Sequence, residues 1–213
     1  MNILLGTTNP SKVKHFEEFL DGCDVTFCTL RDLDIHDEPE ETGRTPEENA
    51  ILKARFYGKY FDTVICNDSG LYFAGLPLDD PRQPGLHVRT PLGGARMDDD
   101  EMLRYYTDLV HSLGGRVTAF YLNGLAVYRS GQIYSFLEDP DTVRADAFYM
   151  VDRPCEKRHE GWPLDSISLN RTTLAYFAEE DNELYDGTEE TALQDPYRMQ
   201  VIRFLKESLG LTA

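Results

Sequence analysis

Residues 7–12 read TTNPSK and follow directly on the apolar run Ile3, Leu4, Leu5, Gly6. A strand that ends in Thr7 and Thr8 and feeds a helix capped at Asn9 sets hydroxyls, an amide and free backbone N–H groups at the positive end of the helix dipole. Lys12 extends from the first turn of that helix. This is a seat for phosphate oxygens, and it is also what ordinary capping looks like; the GxxxxGK[ST] spacing of a P-loop is absent. Residues 40–55, EETGRTPEENAILKAR, place Glu40 and Glu41 before a glycine turn and then Asn49 and Lys53 four apart on one helical face. Such a pair is either a binding edge or a solvated face. In VICNDSGLYF, residues 64–73, the apolar run Val64, Ile65, Cys66 is broken by Asn67, Asp68, Ser69 and Gly70. Packing gives little reason for a carboxylate after a buried strand, and the carboxyl ends of strands are where α/β folds hold ligands.

The elements that must hold these residues follow from periodicity. The pattern predicts a strand at about 2–6, a helix at about 10–21 with Val13, Phe16, Phe19 and Leu20 on one side, a strand near 25–29, a helix at about 46–61 and a strand at about 62–66. DDDEMLRYYTDLVHSL, from Asp98, reads as a further helix with acidic residues in its first turn. From Arg116 to about Val151 the runs rich in Tyr, Phe, Val and Leu, interrupted at RSGQ and EDPD, predict an antiparallel meander. A last helix is expected over 196–209. Asn9-Pro10, Thr45-Pro46 and Asp195-Pro196 each put a capping side chain before a proline, and Thr45 with Glu48 has capping-box spacing. Alternation followed by hairpins gives an α/β fold with a mixed sheet. With no repeat, low-complexity stretch or linker, residues 1–213 read as a single domain.

The chain has 38 acidic against 21 basic residues and a formal net charge of -17, spread throughout, with 41% hydrophobic residues. That is a folded protein with an acidic surface, which repels nucleic-acid polymers and anionic membranes. A small anion is still compatible with it, because a few lysines, backbone N–H groups or a carboxylate-bound divalent cation reverse the field locally. The N-terminus has neither a secretory core nor a membrane-length apolar run, so a soluble cytoplasmic protein is expected. Cys23, Cys28, Cys66 and Cys155 form no CxxC pair and read as reduced thiols, although Cys155 and His159 have the spacing of half a zinc site.

In this order and spacing the three stretches resemble the Ham1 family, the inosine triphosphate pyrophosphatase-like enzymes that hydrolyse non-standard purine nucleoside triphosphates to the monophosphate and pyrophosphate. The family pattern T-x-N-x-x-K is met by Thr7, Asn9 and Lys12, E-T-G-x-T-x-x-E-N-A-x-x-K-A by residues 41–54, and D-D-S-G-L by NDSGL. The resemblance implies a mixed, twisted central sheet with flanking helices, two lobes around a nucleotide-binding cleft, a Mg2+ requirement and a homodimer. It makes Glu41 and Asp68 the metal-binding and water-activating carboxylates. Thr7, Thr8, Asn9, Lys12, Asn49, Lys53, Ser69 and Gly70 would line the substrate site. Asn67 replaces the family's second Asp and would offer a metal its carbonyl oxygen.

The second half departs from the pattern. GWPLDSIS stands where the family has a G-F-G-Y-D-P-like segment, so Trp162 and Asp165 would stack on and contact the base; the other reading of the only tryptophan is a core anchor. PGLHVRTPLGG stands for P-G-x-x-S-A-R and supplies Arg89. In EEDN, Asp181 replaces the Lys of E-K-N-x-x-S-H-R, and Arg198 is the nearest substitute for the missing S-H-R. An acceptor in place of a donor implies a base that carries an amino group. The changes at Asn67 and S-H-R also suggest an alternative, a nucleotide-binding regulatory protein with impaired catalysis.

Overall fold

The computed structural model describes residues 1–211 except 78, 145–146 and 181–195. In chain order its elements are β1 (Asn2–Leu5), α1 (Pro10–Phe19), β2 (Thr26–Thr29), α2 (Pro46–Tyr57), β3 (Thr63–Phe73), α3 (Asp99–Ser112), β4 (Arg116–Arg129), β5 (Gln132–Leu137), α4 (Pro140–Val143), β6 (Phe148–Val151), β7 (Ser168–Leu169) and α5 (Pro196–Leu209). The hydrogen-bonded strand order is β2-β1-β3-β4-β6-β7, with β5 also paired to β4. β1 is parallel to β2 and β3, whereas β4–β5, β4–β6 and β6–β7 are antiparallel. The alternating first half and the hairpins that follow thus form the mixed α/β sheet that the sequence predicts.

The described residues fall into two compact units. One holds Met1–Ser69, Asn123–Glu138 and 196–211. Its β1 pairs Leu5 with Thr29 on one side and with Ile65 on the other. Because side chains alternate along a strand, successive residues feed different cores. Ile3, Leu5, Ile65, Leu125 and Val127 pack with Phe16 and Leu20 of α1 and with Val201, Leu205 and Leu209 of α5. Leu4, Val64, Cys66 and Ala126 pack with Ala50, Ala54 and Tyr57 of α2. Gly124 brings β4 against the start of α2: a β carbon there would lie 2.1 Å from the Glu47 backbone nitrogen. α2 begins as its sequence predicts, with Thr45 Oγ1 accepting the Glu48 N–H at 3.1 Å. The Glu48 carboxylate reaches back to the Arg44 N–H at 2.6 Å, one residue before the cap.

The other unit holds Gly70–Leu122 and 139–180. β4 and β6 pair from Arg116 with Val151 to Ala119 with Phe148, and β6 pairs with β7 through Met150 and Ser168. Met102, Leu103, Tyr106 and Val110 of α3 close a core with Leu71, Phe73, Ala119, Phe148, Met150, Leu164 and Ile167. α3 carries a complete capping box between Asp98 and Glu101.

Some boundaries differ from the sequence reading. α1 stops at Phe19 and α2 at Tyr57, and β7 has only two residues. β3 does not break at Asn67 but continues through Asp68 to Phe73. The chain tolerates a carboxylate inside a buried strand because that carboxylate is partnered. No described helix is long and apolar enough to cross a membrane.

Candidate active site

Asn49 and Lys53, one turn apart on α2, both reach Asp68 on β3. The Asn49 side chain is 2% exposed. Its Nδ2 donates to Asp68 Oδ2 at 2.8 Å, and its Oδ1 accepts the Gly43 N–H at 2.8 Å. One buried amide therefore ties the glycine turn after Glu41 to the carboxylate on the strand. Gly43 has no room for a side chain, since a β carbon would lie 2.6 Å from Asn49 Oδ1. Lys53 Nζ lies 3.3 Å from Asp68 Oδ1 and 2.7 Å from Glu41 Oε1. Asp68 is 9% exposed, so its charge is held by these partners and not by water.

The two lysines are perturbed in opposite directions. For Lys53, burial works against the ammonium, but Asp68 and Glu41 outweigh it and hold its pKa above the ordinary lysine value. For Lys12, burial and then the neighbouring Lys53 lower the pKa, and Asp68 and Glu41 offset this only in part. Among the described residues Lys12 has neither a hydrogen-bond nor an ion-pair partner, which makes it a desolvated cation open to an anion. Cys66, two residues before Asp68 on the same face, is buried and its thiol is pushed up to about 12. In a chain of net charge -17 this group is balanced, with two carboxylates and two ammoniums.

Glu41 and Asp68 fit a divalent cation. Both are hard oxygen donors that already face one cation, the Lys53 ammonium. Among the described residues no set of three or more His, Cys, Asp or Glu gathers to hold a metal. Two carboxylates suit an ion that takes its remaining ligands from water and phosphate, as Mg2+ does. Asn67 is not part of this pair. Strand alternation puts it on the face of Ile65, opposite Asp68, where its Oδ1 is buried without a hydrogen-bond partner among the described residues.

Thr7 Oγ1 accepts the Asn9 N–H at 3.1 Å, so one of the N–H groups expected to be free at the start of α1 is already engaged. Thr8 lies between them in the same loop, and Ser69 follows Asp68 in β3. At Gly70 a β carbon would lie 2.8 Å from the Tyr72 ring and 3.0 Å from the Gly85 carbonyl oxygen, which accounts for the glycine by packing.

In the second unit, Arg89 Nη1 pairs with Asp99 Oδ1 at 2.8 Å and Nη2 donates to the Gly161 carbonyl at 3.0 Å. Its guanidinium is thus committed within the protein and is not a free substrate ligand. Trp162 is not a core anchor, being 47% exposed. Asp165 faces His159 Nδ1 at 3.3 Å, and burial raises the Asp165 pKa. His159 is therefore occupied away from any zinc site with Cys155, whose thiol points to the Lys157 carbonyl. The sequence reading missed Asp99, which reads there only as an acidic first-turn residue, and read His159 only as half of a zinc site and not as the partner of Asp165. Arg198 packs on the Phe19 ring and donates to the Glu18 carbonyl, at the far end of α1 from Lys12. Asp181 lies outside the described residues.

The sequence model of the Ham1 family matches residues 3–138. Over 88 residues the chain is 40% identical to a dITP/XTP pyrophosphatase of Thermoanaerobacter pseudethanolicus, covering 41% of this chain and 42% of that one. It is 32% identical over 130 residues to a dITP/XTP pyrophosphatase of Bacillus subtilis, covering 61% and 64%. The first of these matches thus spans about two fifths of the relative's length. A HAM1 protein from Coxiella burnetii has the same fold, with a TM-score of 0.70 at 23% identity over 100% of both chains.

Proposed function

The chain belongs to the Ham1 family, and from that premise we propose that it is a Mg2+-dependent pyrophosphatase cleaving a non-standard nucleoside triphosphate to the monophosphate and pyrophosphate. The observation that carries this reading is the group formed by Asp68, Asn49, Lys53 and Glu41, with the unpaired Lys12 close by. Asp68 accepts the proton of the water that attacks the α-phosphorus, and the bond to the β-phosphate oxygen breaks. Asn49 fixes the carboxylate's orientation, so the base needs no reorganisation when the water arrives. Lys12 holds a phosphate oxygen and stabilises the charge on the departing pyrophosphate. Lys53, which now faces both carboxylates, turns to a second phosphate oxygen. Glu41 and Asp68 would hold the Mg2+, which when bound neutralises phosphate charge and polarises the attacked phosphorus.

The base preference, in this reading, differs from that of the dITP/XTP pyrophosphatases among its relatives. Asp181 puts an acceptor where the family pattern has a donor, and an acceptor favours a base that presents an amino group or ring N–H. A homodimer acting in the cytoplasm belongs to the same proposal.

A panel of standard, deaminated and amino-modified triphosphates with Mg2+, scored for monophosphate and pyrophosphate, tests it. Replacing Asp68 with Asn should lower kcat by roughly 10²- to 10⁴-fold. Undiminished turnover in Asp68→Asn refutes the assigned base. Tight nucleotide binding with no product across the panel favours a regulatory protein. A strong preference for inosine triphosphate refutes the altered base specificity.

A further inference from the structure

Asp68 has two carboxylate oxygens, and each already accepts a hydrogen bond. Oδ2 takes the Asn49 amide at 2.8 Å, and Oδ1 takes the Lys53 ammonium at 3.3 Å. The two donors differ in how freely they can leave. Asn49 is buried and its own oxygen holds the Gly43 N–H, so turning it away breaks two hydrogen bonds at once. Lys53 carries its ammonium at the end of a flexible four-carbon stem, and its other partner, Glu41 Oε1 at 2.7 Å, belongs to a side chain that is 46% exposed. The oxygen left to a metal ion or to the proton of a water is therefore Oδ1, and Lys53 stands on it.

Charge points the same way. With two carboxylates and the ammoniums of Lys53 and Lys12, the group is neutral as it stands. A divalent cation alone would bring two surplus positive charges to a place where the Asp68 and Lys53 side chains are only 12% and 15% exposed, so water screens them poorly. A phosphate group that arrives with the cation removes that surplus and offers the ammonium an oxygen in exchange. We propose that Lys53 is an internal counter-ion of the carboxylate pair, which keeps a divalent cation off Glu41 and Asp68 until a phosphate oxygen draws its ammonium away. This rests on the nucleotide reading above and adds an order to it: the carboxylates are bared to metal and to the attacking water only when a polyphosphate is in place.

The test reads metal binding and not turnover. Mn2+ is titrated into the full-length protein without nucleotide, and the free ion is followed by electron paramagnetic resonance. Lys53→Met should bind Mn2+ roughly tenfold more tightly than the wild type or better, because the two carboxylates lose a competing charge at 2.7 and 3.3 Å. Lys53→Gln removes the charge but keeps a donor for Glu41 or Asp68; it should show the same gain, and it serves if Lys53→Met does not fold. Lys59→Met removes an equal charge from an exposed side chain just past the end of α2 and should leave the affinity unchanged. At constant ionic strength sulfate, a tetrahedral dianion, should tighten Mn2+ binding to the wild type and have no such effect in Lys53→Gln. Equal affinity in the wild type and both Lys53 variants overturns the proposal, as does a wild-type affinity that sulfate leaves unchanged; release of pyrophosphate from a triphosphate by that same wild type keeps the pyrophosphatase reading standing. Equal gains in Lys53→Gln and Lys59→Met trace the effect to overall charge and also overturn it. Tighter Mn2+ binding in Lys53→Gln, when the wild type turns over no triphosphate, does the reverse, supporting the counter-ion and removing the hydrolysis.

Discussion

Lys12 is the residue where environment and chemistry pull hardest against each other. It is a cation desolvated beside another cation, and its pKa lies below the ordinary 10.5. An anion that binds it supplies the missing partner and restores the proton. Affinity for pyrophosphate should therefore fall as pH rises through this lowered value, earlier than for an ordinary lysine, and binding in that window should take up a proton. Titration calorimetry at rising pH checks this; Lys12→Arg keeps its charge and should flatten the profile. Much at this scale was legible in the sequence. The shared face of Asn49 and Lys53 follows from their spacing, and the abrupt change from Cys66 to Asp68 flagged the carboxylate. That Asn67 turns the other way was hidden, because NDSG reads as a turn while Asp68, once neutralised by Asn49 and Lys53, lets the strand run on. The Arg89–Asp99–Gly161 clamp was invisible, since no local pattern links positions so far apart.

Among the elements, α2 carries the most. It buries Ala50, Ala54 and Tyr57 against the sheet and presents Asn49 and Lys53 to Asp68. Its height above the strands is set at Gly124, where no atom larger than hydrogen fits between β4 and the Pro46–Glu47 backbone. Gly124→Ala must push the start of the helix away, because both contacts are backbone and neither can rotate aside. The expected cost is about 1–3 kcal/mol of stability, read as a lower urea midpoint. Turnover per folded molecule should also drop, because the same displacement lifts Asn49 from Asp68; unchanged kcat with reduced stability would show that the helix does not transmit the strain. The existence of α2 and its capped start were readable from Thr45-Pro46 and from Glu48. Its end was not: Phe61 and the residues before it remain apolar enough to extend the pattern, yet the helix closes at Tyr57 with Gly58 as its cap.

For the molecule as a whole, the net charge of -17 opposes the approach of a triphosphate, while the group proposed as the active site is locally balanced. Repulsion acts at long range and is screened first, because the Debye length is about 8 Å at physiological ionic strength. Association of the nucleotide should therefore become faster as salt is raised from a few millimolar to about 0.15 M, the opposite of an electrostatically steered enzyme. Stopped-flow association rates at a series of NaCl concentrations decide this, and a rate that falls with salt would mean that local lysines dominate the field. The fold class was legible because alternation and hairpins leave different periods in the sequence. Two lobes were expected only from the family resemblance; composition does not mark the passage between the two units, because β3 and β4 each supply residues to both and no linker lies there.

Cys66 sits on the same face of β3 as Asp68, 1% exposed, with a thiol that ionises only near strongly alkaline pH. Disulfide exchange and alkylation need the thiolate, so at neutral pH reagents reach this sulfur only after β3 and α2 have parted. Labelling of Cys66 is thus a built-in clock for the opening of the sheet beside Asp68, and its rate measures how often that carboxylate is laid bare to solvent.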